Sequence, residues 1–170
     1  MSRELTTAEV ADLLESTCAL IEAEMKALGE EGCSFHFKDG EWCVNECVGH
    51  IIEADRRGFG GRIRGIIAGK PITTWDQAQV ARDRRDCDRM SQSVFMEFMG
   101  LRHDYVTMVR ALTPSELDKS ALHPKVGELR VRDLLNEWVY HDRNHTRQLL
   151  AVQQERVYPH MGNSQKFVGE

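Results

Sequence analysis

The chain has few prolines and no long apolar run. Only four of its 170 residues are proline, and just one of them precedes Pro114, so long helices meet few breaks. No apolar stretch approaches the ~20 residues that a membrane-spanning helix needs. Residues 1–5 are polar and do not resemble a signal peptide. We therefore expect no membrane partner and, without an export signal, a cytoplasmic location.

An excess of basic charge is also missing. The net charge is −5 and the sequence pI is about 5.8. The arginine-rich stretch from Arg82 to Arg89 is interleaved with Asp83, Asp86 and Asp88, which is typical of a solvated helix face with local ion pairs. The pair Arg56–Arg57 does not change this balance. The composition therefore argues against a nucleic-acid-binding surface.

The cysteines do not form the pattern of a secreted disulfide framework. There are five of them, an odd number, and their spacing is not paired. We interpret all five as reduced thiols of a cytosolic protein. With 41% apolar residues, the length fits one globular domain. We place this domain at residues 1–160, followed by an irregular C-terminal tail at residues 161–170.

Helical periodicity is the dominant pattern of the sequence. Apolar residues recur every three or four positions, without strand-like alternation, in four long segments: residues 6–29, 42–69, 75–112 and 131–156. Thr113, Pro114 and Glu116 predict a short helix before the last one, and residues 123–130 are interpreted as a loop. The glycines of the second segment predict either close packing of a neighbour or a kink at Gly60–Gly61. The fold class is an all-α four-helix bundle.

Two histidines interrupt the apolar stripe of the last helix. His141 and His145 are four residues apart and share one helix face, together with Leu134, Trp138, Leu149 and Val152. Either each imidazole is buried against a carboxylate or carbonyl, or the pair binds a metal ion between helices. Both explanations stay open on this pair alone, and a third ligand would decide between them.

A third histidine lies in the second helix. His50 is on the side marked by Cys43, Cys47 and Ala54 rather than at the centre of the aliphatic stripe. That position suits a side chain that points into the open end of a bundle. It also suits a half-exposed histidine without a role. His36, in the preceding connector, is interpreted as a surface or packing residue because it has no partner at ligand spacing.

Two motifs carry a resemblance to a known family. Residues 42–51, W-C-V-N-E-C-V-G-H-I, are similar to the W-S-x-x-E-x-x-x-H-L opening of the second helix in DinB-like (YfiT-like) bundles. Residues 127–135 and the H-D-R-N-H of residues 141–145 resemble the closing helix of that family. The resemblance covers nearly the whole chain. It implies an up-down-down-up bundle with a long crossover, often found as a homodimer, and a divalent ion bound by His50, His141 and His145.

Three imidazole ligands leave coordination positions open on an ion, which can then activate water or a thiol and polarise a carbonyl. Zn²⁺ or Ni²⁺ is the first choice, and Fe²⁺, Mn²⁺ and Co²⁺ are compatible. Some relatives use a low-molecular-weight thiol. We expect a metal-dependent enzyme that acts on a small molecule, either a thiol-dependent transferase or a metal-activated hydrolase. The alternative is a non-catalytic metal-binding or stress-response bundle with a structural ion.

The carboxylates near the histidines are candidate acceptors for the second imidazole nitrogens or candidate general bases. Glu46 and Glu53 flank His50 at four and three residues, and Asp142 follows His141. We interpret at least two of these three as surface carboxylates, Asp142 in particular.

Two arginines and a cysteine complete the candidate set. Arg143 and Arg147 are candidates for contact with an anionic substrate or thiol cofactor, although solvated charges are the favoured explanation. Cys47 is a candidate extra metal ligand that would close the site. Cys43, Cys47 and His50 could also form a separate zinc site, and packed thiols are the plainer interpretation of both cysteines.

Overall fold

The computed structural model describes residues 3–168 and is almost entirely helical. The helices are α1 (Thr7–Cys33), α2 (Val44–Glu53), α3 (Gly60–Ile67), α4 (Gln77–Arg84), α5 (Ser91–Ala111), α6 (Pro114–Leu117) and α7 (Val131–Val157). A π-helical turn (Ala54–Gly58) joins α2 to α3, and 3-10 turns cover Asp86–Asp88, Tyr158–His160 and Gly162–Phe167. Residues 1, 2, 169 and 170 lie outside the described residues, so the start of the predicted domain and the end of the predicted tail fall there.

Four helical elements form the bundle: α1, the α2–α3 unit, α5 and α7. Glu24 near the end of α1 meets Gln153 near the end of α7, so these two helices are parallel. Asn45 near the start of α2 contacts Arg89 just before α5, and Asp55 pairs with Arg102 farther along both elements, so the α2–α3 unit is parallel to α5. Because α1 is antiparallel to α5, as the contact between Arg110 and Asp12 shows, the topology is up-down-down-up. The crossover between the two parallel central helices spans residues 68–90 and carries α4.

The core consists of two apolar clusters along the bundle axis. One surrounds the Trp138 indole with side chains such as Phe59, Leu134 and Val109. The other lies around Phe98, Ile51 and Leu149. The apolar stripes predicted from periodicity therefore face inward. His50 and Asp142 are among the buried polar side chains of the same helices.

The second helix is broken where its glycines begin. The Phe59 N–H donates to the Ala54 carbonyl at 2.8 Å, a π-type bond that inserts one extra residue and ends α2. A Cβ at Gly60 would overlap the Tyr105 ring, so a neighbour also packs closely there. Both the kink and the close packing that the glycines predicted are present at this junction.

Two other sequence expectations about elements were wrong. The third helix does not run unbroken over residues 75–112, because Arg85 adopts a left-handed conformation at φ 50° and separates α4 from α5. Residues 123–130 are not a plain loop, since Ser120–His123 and Gly127–Arg130 pair as an antiparallel hairpin. The first helix leaves helical geometry at Gly29, at φ 65°, where the sequence predicted its end, and a short helical segment continues beyond this kink to Cys33. Within residues 3–168, no helix is long and apolar enough to cross a membrane.

Candidate metal centre

His50, His141 and His145 lie together between α2 and α7. These helices are antiparallel, so the last turn of α2 meets the middle of α7. His50 is on α2 one turn before the π-helical turn, and His141 and His145 are stacked four residues apart on α7. Each ring offers one nitrogen to a group in which all three nitrogens are within 4.8 Å of one another. The structure thus brings together the three residues named from the sequence.

Within the group, the Nε2 atoms of His50 and His141 are 3.1 Å apart. The ring centroid of His145 lies 4.4 Å from both of the other rings. His50 is buried, with 7% of its surface exposed, while His141 and His145 are half-buried. The group therefore sits at the edge of the core, where its rings are held in place yet reachable from solvent.

The three imidazoles are neutral at physiological pH. Burial, reinforced by the neighbouring imidazoles, lowers the pKa of His50 to about 3. Burial also lowers the pKa of His141 to about 3, with His145 and Arg102 adding to the effect. The pKa of His145 is lowered by burial too, although its contact with Gln148 opposes the shift. A neutral ring keeps one nitrogen lone pair, which is the form that binds a metal ion.

Neighbouring side chains fix the orientation of the rings. His145 Nδ1 lies 2.9 Å from Gln148 Oε1; since that oxygen can only accept, His145 carries its proton on Nδ1 and keeps the Nε2 lone pair. The Phe59 ring packs edge-on against His141 at 5.1 Å between centroids. His141 Nδ1 is buried without a hydrogen-bond partner among the described residues. Trp42 covers the group from outside, 5.0 Å from His50 and 6.3 Å from His145 between centroids.

The prediction that Asp142 is a surface carboxylate was wrong. It is buried beside Arg102, whose guanidinium also bonds to Asp55 in a two-point contact at 2.8 and 3.0 Å. The Trp138 indole N–H donates to Asp55 at 2.7 Å, and Arg102 donates its remaining N–H to the Leu14 carbonyl. Burial raises the pKa of Asp55 above its usual value. Asp142 follows Trp138 by four residues and therefore shares its helix face, so the sequence already indicated that Asp142 lies in the core stripe.

The two glutamates near His50 are engaged elsewhere. Glu53 is also buried rather than on the surface, and its carboxylate accepts from Arg56, Arg57 and Arg84. Burial works to raise the pKa of Glu53, but the three arginines outweigh it and hold the pKa below its usual value. Glu46 accepts from the backbone N–H of Cys43 at 3.0 Å, as part of the α2 cap. Neither carboxylate joins the histidine group.

The remaining candidates are also dispersed. Arg143 is tied to α1, because its guanidinium donates to Thr17, Ser16 and the Leu13 carbonyl. Arg147 is exposed. Cys47 is fully buried, and burial raises the pKa of its thiol to about 12. Its sulfur is not part of the group of converging nitrogens.

A second group of ligand-type side chains lies at the start of α2. The structure joins Cys43 to Cys87 in a disulfide, so the interpretation of all five cysteines as reduced thiols was wrong for this pair. Cys18, Cys33 and Cys47 are free. His36 and Glu46 lie beside the two sulfurs, and the four ligand atoms are within 4.8 Å of one another. His36 therefore has the partners that its local sequence did not show, because Cys87 is 51 residues away.

Comparison with known proteins agrees with the fold. Residues 8–149 match the DinB superfamily. A Bacillus mycoides (strain KBAB4) protein named "Putative metal-dependent hydrolase" is 19% identical over 131 residues, which are 76% of this chain and 75% of that protein.

A solved structure has a similar fold. YfiT from Bacillus subtilis, described as a "probable metal-dependent hydrolase with an unusual four-helix bundle topology", has a TM-score of 0.79 and 15% sequence identity. The similarity covers 92% of this chain and 93% of YfiT. With the family match spanning most of the chain and the same bundle topology, this chain belongs to the DinB superfamily.

Proposed function

We propose that His50, His141 and His145 bind a divalent metal ion and that the protein is a metal-dependent hydrolase of a small molecule. The single observation that carries the proposal is the convergence of three neutral imidazole nitrogens from two helices within 4.8 Å. The names of the Bacillus relatives support the reaction class. The homodimer and the cytoplasmic location stay predictions from the sequence.

The spacing of the nitrogens suits a shared ion. Two nitrogen ligands at the usual zinc distance, on tetrahedral directions, lie about 3.3 Å apart. The Nε2 atoms of His50 and His141 are 3.1 Å apart. A hydrogen bond between the His50 and His141 rings would explain that contact alone. It would not explain why His145 turns toward them, since the Gln148 contact occupies Nδ1 of His145 and leaves its Nε2 lone pair free. Zn²⁺ and Ni²⁺ are the preferred ions for this donor set.

The chain supplies the setting for hydrolysis. When bound, the ion would provide a Lewis acid and an activated water, since three protein ligands leave a position open. Half-buried His141 and His145 keep that position reachable. Gln148 holds the His145 ring, and Phe59 and Trp42 give the site apolar walls.

Metal binding is tested on protein purified without added metal. Elemental analysis measures the metal content, and thermal melts with chelator and with added Zn²⁺ measure the stabilisation. We expect about one ion per histidine site in wild type. A free concentration one hundredfold above Kd should stabilise wild type by about 2.7 kcal/mol. His141→Ala should lose both the ion and this stabilisation. His103→Ala, in an exposed position on α5, is the matched control and should behave as wild type.

Activity is tested on the metal-loaded protein with a panel of ester, amide and phosphoester substrates. We expect hydrolysis that disappears with chelator and in His141→Ala, and persists in His103→Ala. Full metal content in His141→Ala would refute the site. Metal that depends on His141 without hydrolysis of any substrate would refute the hydrolase and indicate a structural ion that joins α2 to α7.

A further inference from the structure

The group at the start of α2 has the chemistry of a thiolate metal site. Cys43 is the N-cap of α2, and Cys87 lies in the 3-10 turn that follows α4. Their Cα atoms are 6.6 Å apart, although 44 residues separate them in sequence. His36 and Glu46 complete a set of two sulfurs, one imidazole nitrogen and one carboxylate, all within 4.8 Å of one another. Cysteine, histidine and glutamate are all established zinc ligands, and four of them close a tetrahedral site.

The orientation of His36 gives an independent reason to expect a ligand here. His36 Nδ1 lies 2.8 Å from the Glu41 carbonyl oxygen, which can only accept, so the ring carries its proton on Nδ1. Its Nε2 lone pair then points toward the Cys87 sulfur at 3.2 Å. An imidazole with one nitrogen held by a backbone carbonyl and the other aimed at cysteine sulfur has the arrangement of a metal-bound histidine.

We propose that Cys43, Cys87, His36 and Glu46 form a second metal site, specific for a thiophilic divalent cation such as Zn²⁺, when the disulfide is reduced. An external dithiol reduces the S–S bond and is itself oxidised to a disulfide. It transfers two electrons and two protons to Cys43 and Cys87, which become thiols. The ion then displaces both thiol protons to solvent and accepts electron pairs from the two thiolates, His36 and Glu46. The sulfurs separate to about 3.7 Å, the spacing of two thiolates on one tetrahedral zinc.

The site is accessible and distinct from the histidine centre. His36 is exposed and Glu46 is partly exposed, so an ion can enter from solvent without opening the core. Cys43 lies next to Trp42, the residue that covers His50 and His145. The two groups are therefore neighbours on α2 but share no ligand. The disulfide and the metal site are alternative states of the same pair of sulfurs, and the reducing power of the surroundings selects between them.

Cobalt substitution tests this site separately from the histidine centre. Metal-free protein is reduced anaerobically with a phosphine, and Co²⁺ is titrated while near-ultraviolet absorption is recorded. We expect a thiolate-to-cobalt charge-transfer band in the reduced protein and none in the oxidised protein. Three imidazoles cannot give such a band, because they contain no sulfur. Zinc binding should also rise by one ion per chain on reduction, whether or not the histidine centre binds metal.

Variants assign the band to its ligands. Cys87→Ser should abolish it and the additional zinc, and His36→Ala should weaken binding at least tenfold. Cys18→Ser, which changes a free cysteine of α1, is the matched control and should keep the band. Thermal melts verify that each variant is folded. The absence of a band in reduced protein would overturn the proposal. So would a band that survives Cys87→Ser and disappears in Cys47→Ser, since it would place the sulfur at the histidine centre.

Discussion

Two polar groups lie side by side in the bundle, and they are built in opposite ways. In the Asp55–Arg102–Asp142 network, all five guanidinium N–H groups of Arg102 have acceptors, and Trp138 supplies a further donor to Asp55. In the histidine group, the neutral rings face one another and His141 Nδ1 has no partner among the described residues. The two groups share α7, where Asp142 directly follows His141.

This difference separates a structural polar group from a binding one. A buried polar network that is completely paired holds its helices in one arrangement, and breaking it leaves uncompensated charge. In the histidine group one hydrogen bond, between His50 and His141, joins the converging nitrogens, so folding alone pairs them incompletely, and buried nitrogens without partners cost free energy. A metal ion that accepts all three lone pairs would complete the group. The pairing of polar atoms therefore indicates which cluster stabilises the bundle and which one is available to a metal ion.

The largest effect should come from breaking the paired network. Arg102→Met leaves Asp55 and Asp142 buried without their partner, and we expect a loss of about 3–5 kcal/mol in the free energy of unfolding. Urea denaturation at pH 7 measures it. Arg110→Met is the matched control: its guanidinium pairs with Asp12 and Glu15 at the surface, where solvent screens the charges, so its loss should destabilise the protein far less. Equal losses in the two variants would contradict the comparison.

Removing a support of the histidine group should change affinity rather than stability. Gln148→Ala deprives His145 Nδ1 of its acceptor, and we expect metal affinity to fall by about 10–100-fold, with little change in the metal-free melt. Competition with a chelating dye measures the affinity. Gln153→Ala, a change farther along α7 at a residue that contacts Glu24, should leave affinity at the wild-type value. A large loss of metal-free stability in Gln148→Ala would instead make this residue part of the core.

A third network, partly exposed, should have the smallest effect. Glu97 accepts from Arg84, Arg56 and Arg89, and these contacts lower its pKa to about 2 although burial opposes them. Because the folded-state pKa is below the unfolded value of about 4.3, the contribution to stability is complete above that pH and is lost as pH falls toward 2. We expect Glu97→Gln to cost about 1 kcal/mol at pH 7, after allowance for solvent screening.

The pH dependence of that difference is the measurement that checks it. Denaturation of wild type and Glu97→Gln at several pH values should show curves that converge as the pH is lowered below about 4. A difference that stays constant over this range would mean that the charge of Glu97 is not what stabilises the protein. Glu15→Gln, at an exposed end of the Arg110 pair, should show little difference at any pH.

The sequence predicted the bundle because helical periodicity is local. His141 and His145 were placed on one face by their spacing alone, and the α6 cap at Thr113 and Glu116 was readable in the same way. His50 entered only through the family resemblance, since nothing in the periodicity of α2 separates a ligand from a half-exposed histidine. Asp142 was misjudged although its spacing from Trp138 placed it in the stripe, because a carboxylate next to a candidate ligand was assumed to be solvated.

What the sequence by itself determined is the set of helices, their apolar faces and the pairing of two histidines on α7, all of which depend on residues within a few positions of one another. Only the tertiary structure decided which polar residues meet. Arg102 pairs with Asp55 in the π-helical turn and with Asp142 on α7, and Cys43 and His36 contact Cys87 in the crossover. These contacts join residues 40 to 51 positions apart, and their geometry is set by the helix directions and by the left-handed residue Arg85 that ends α4.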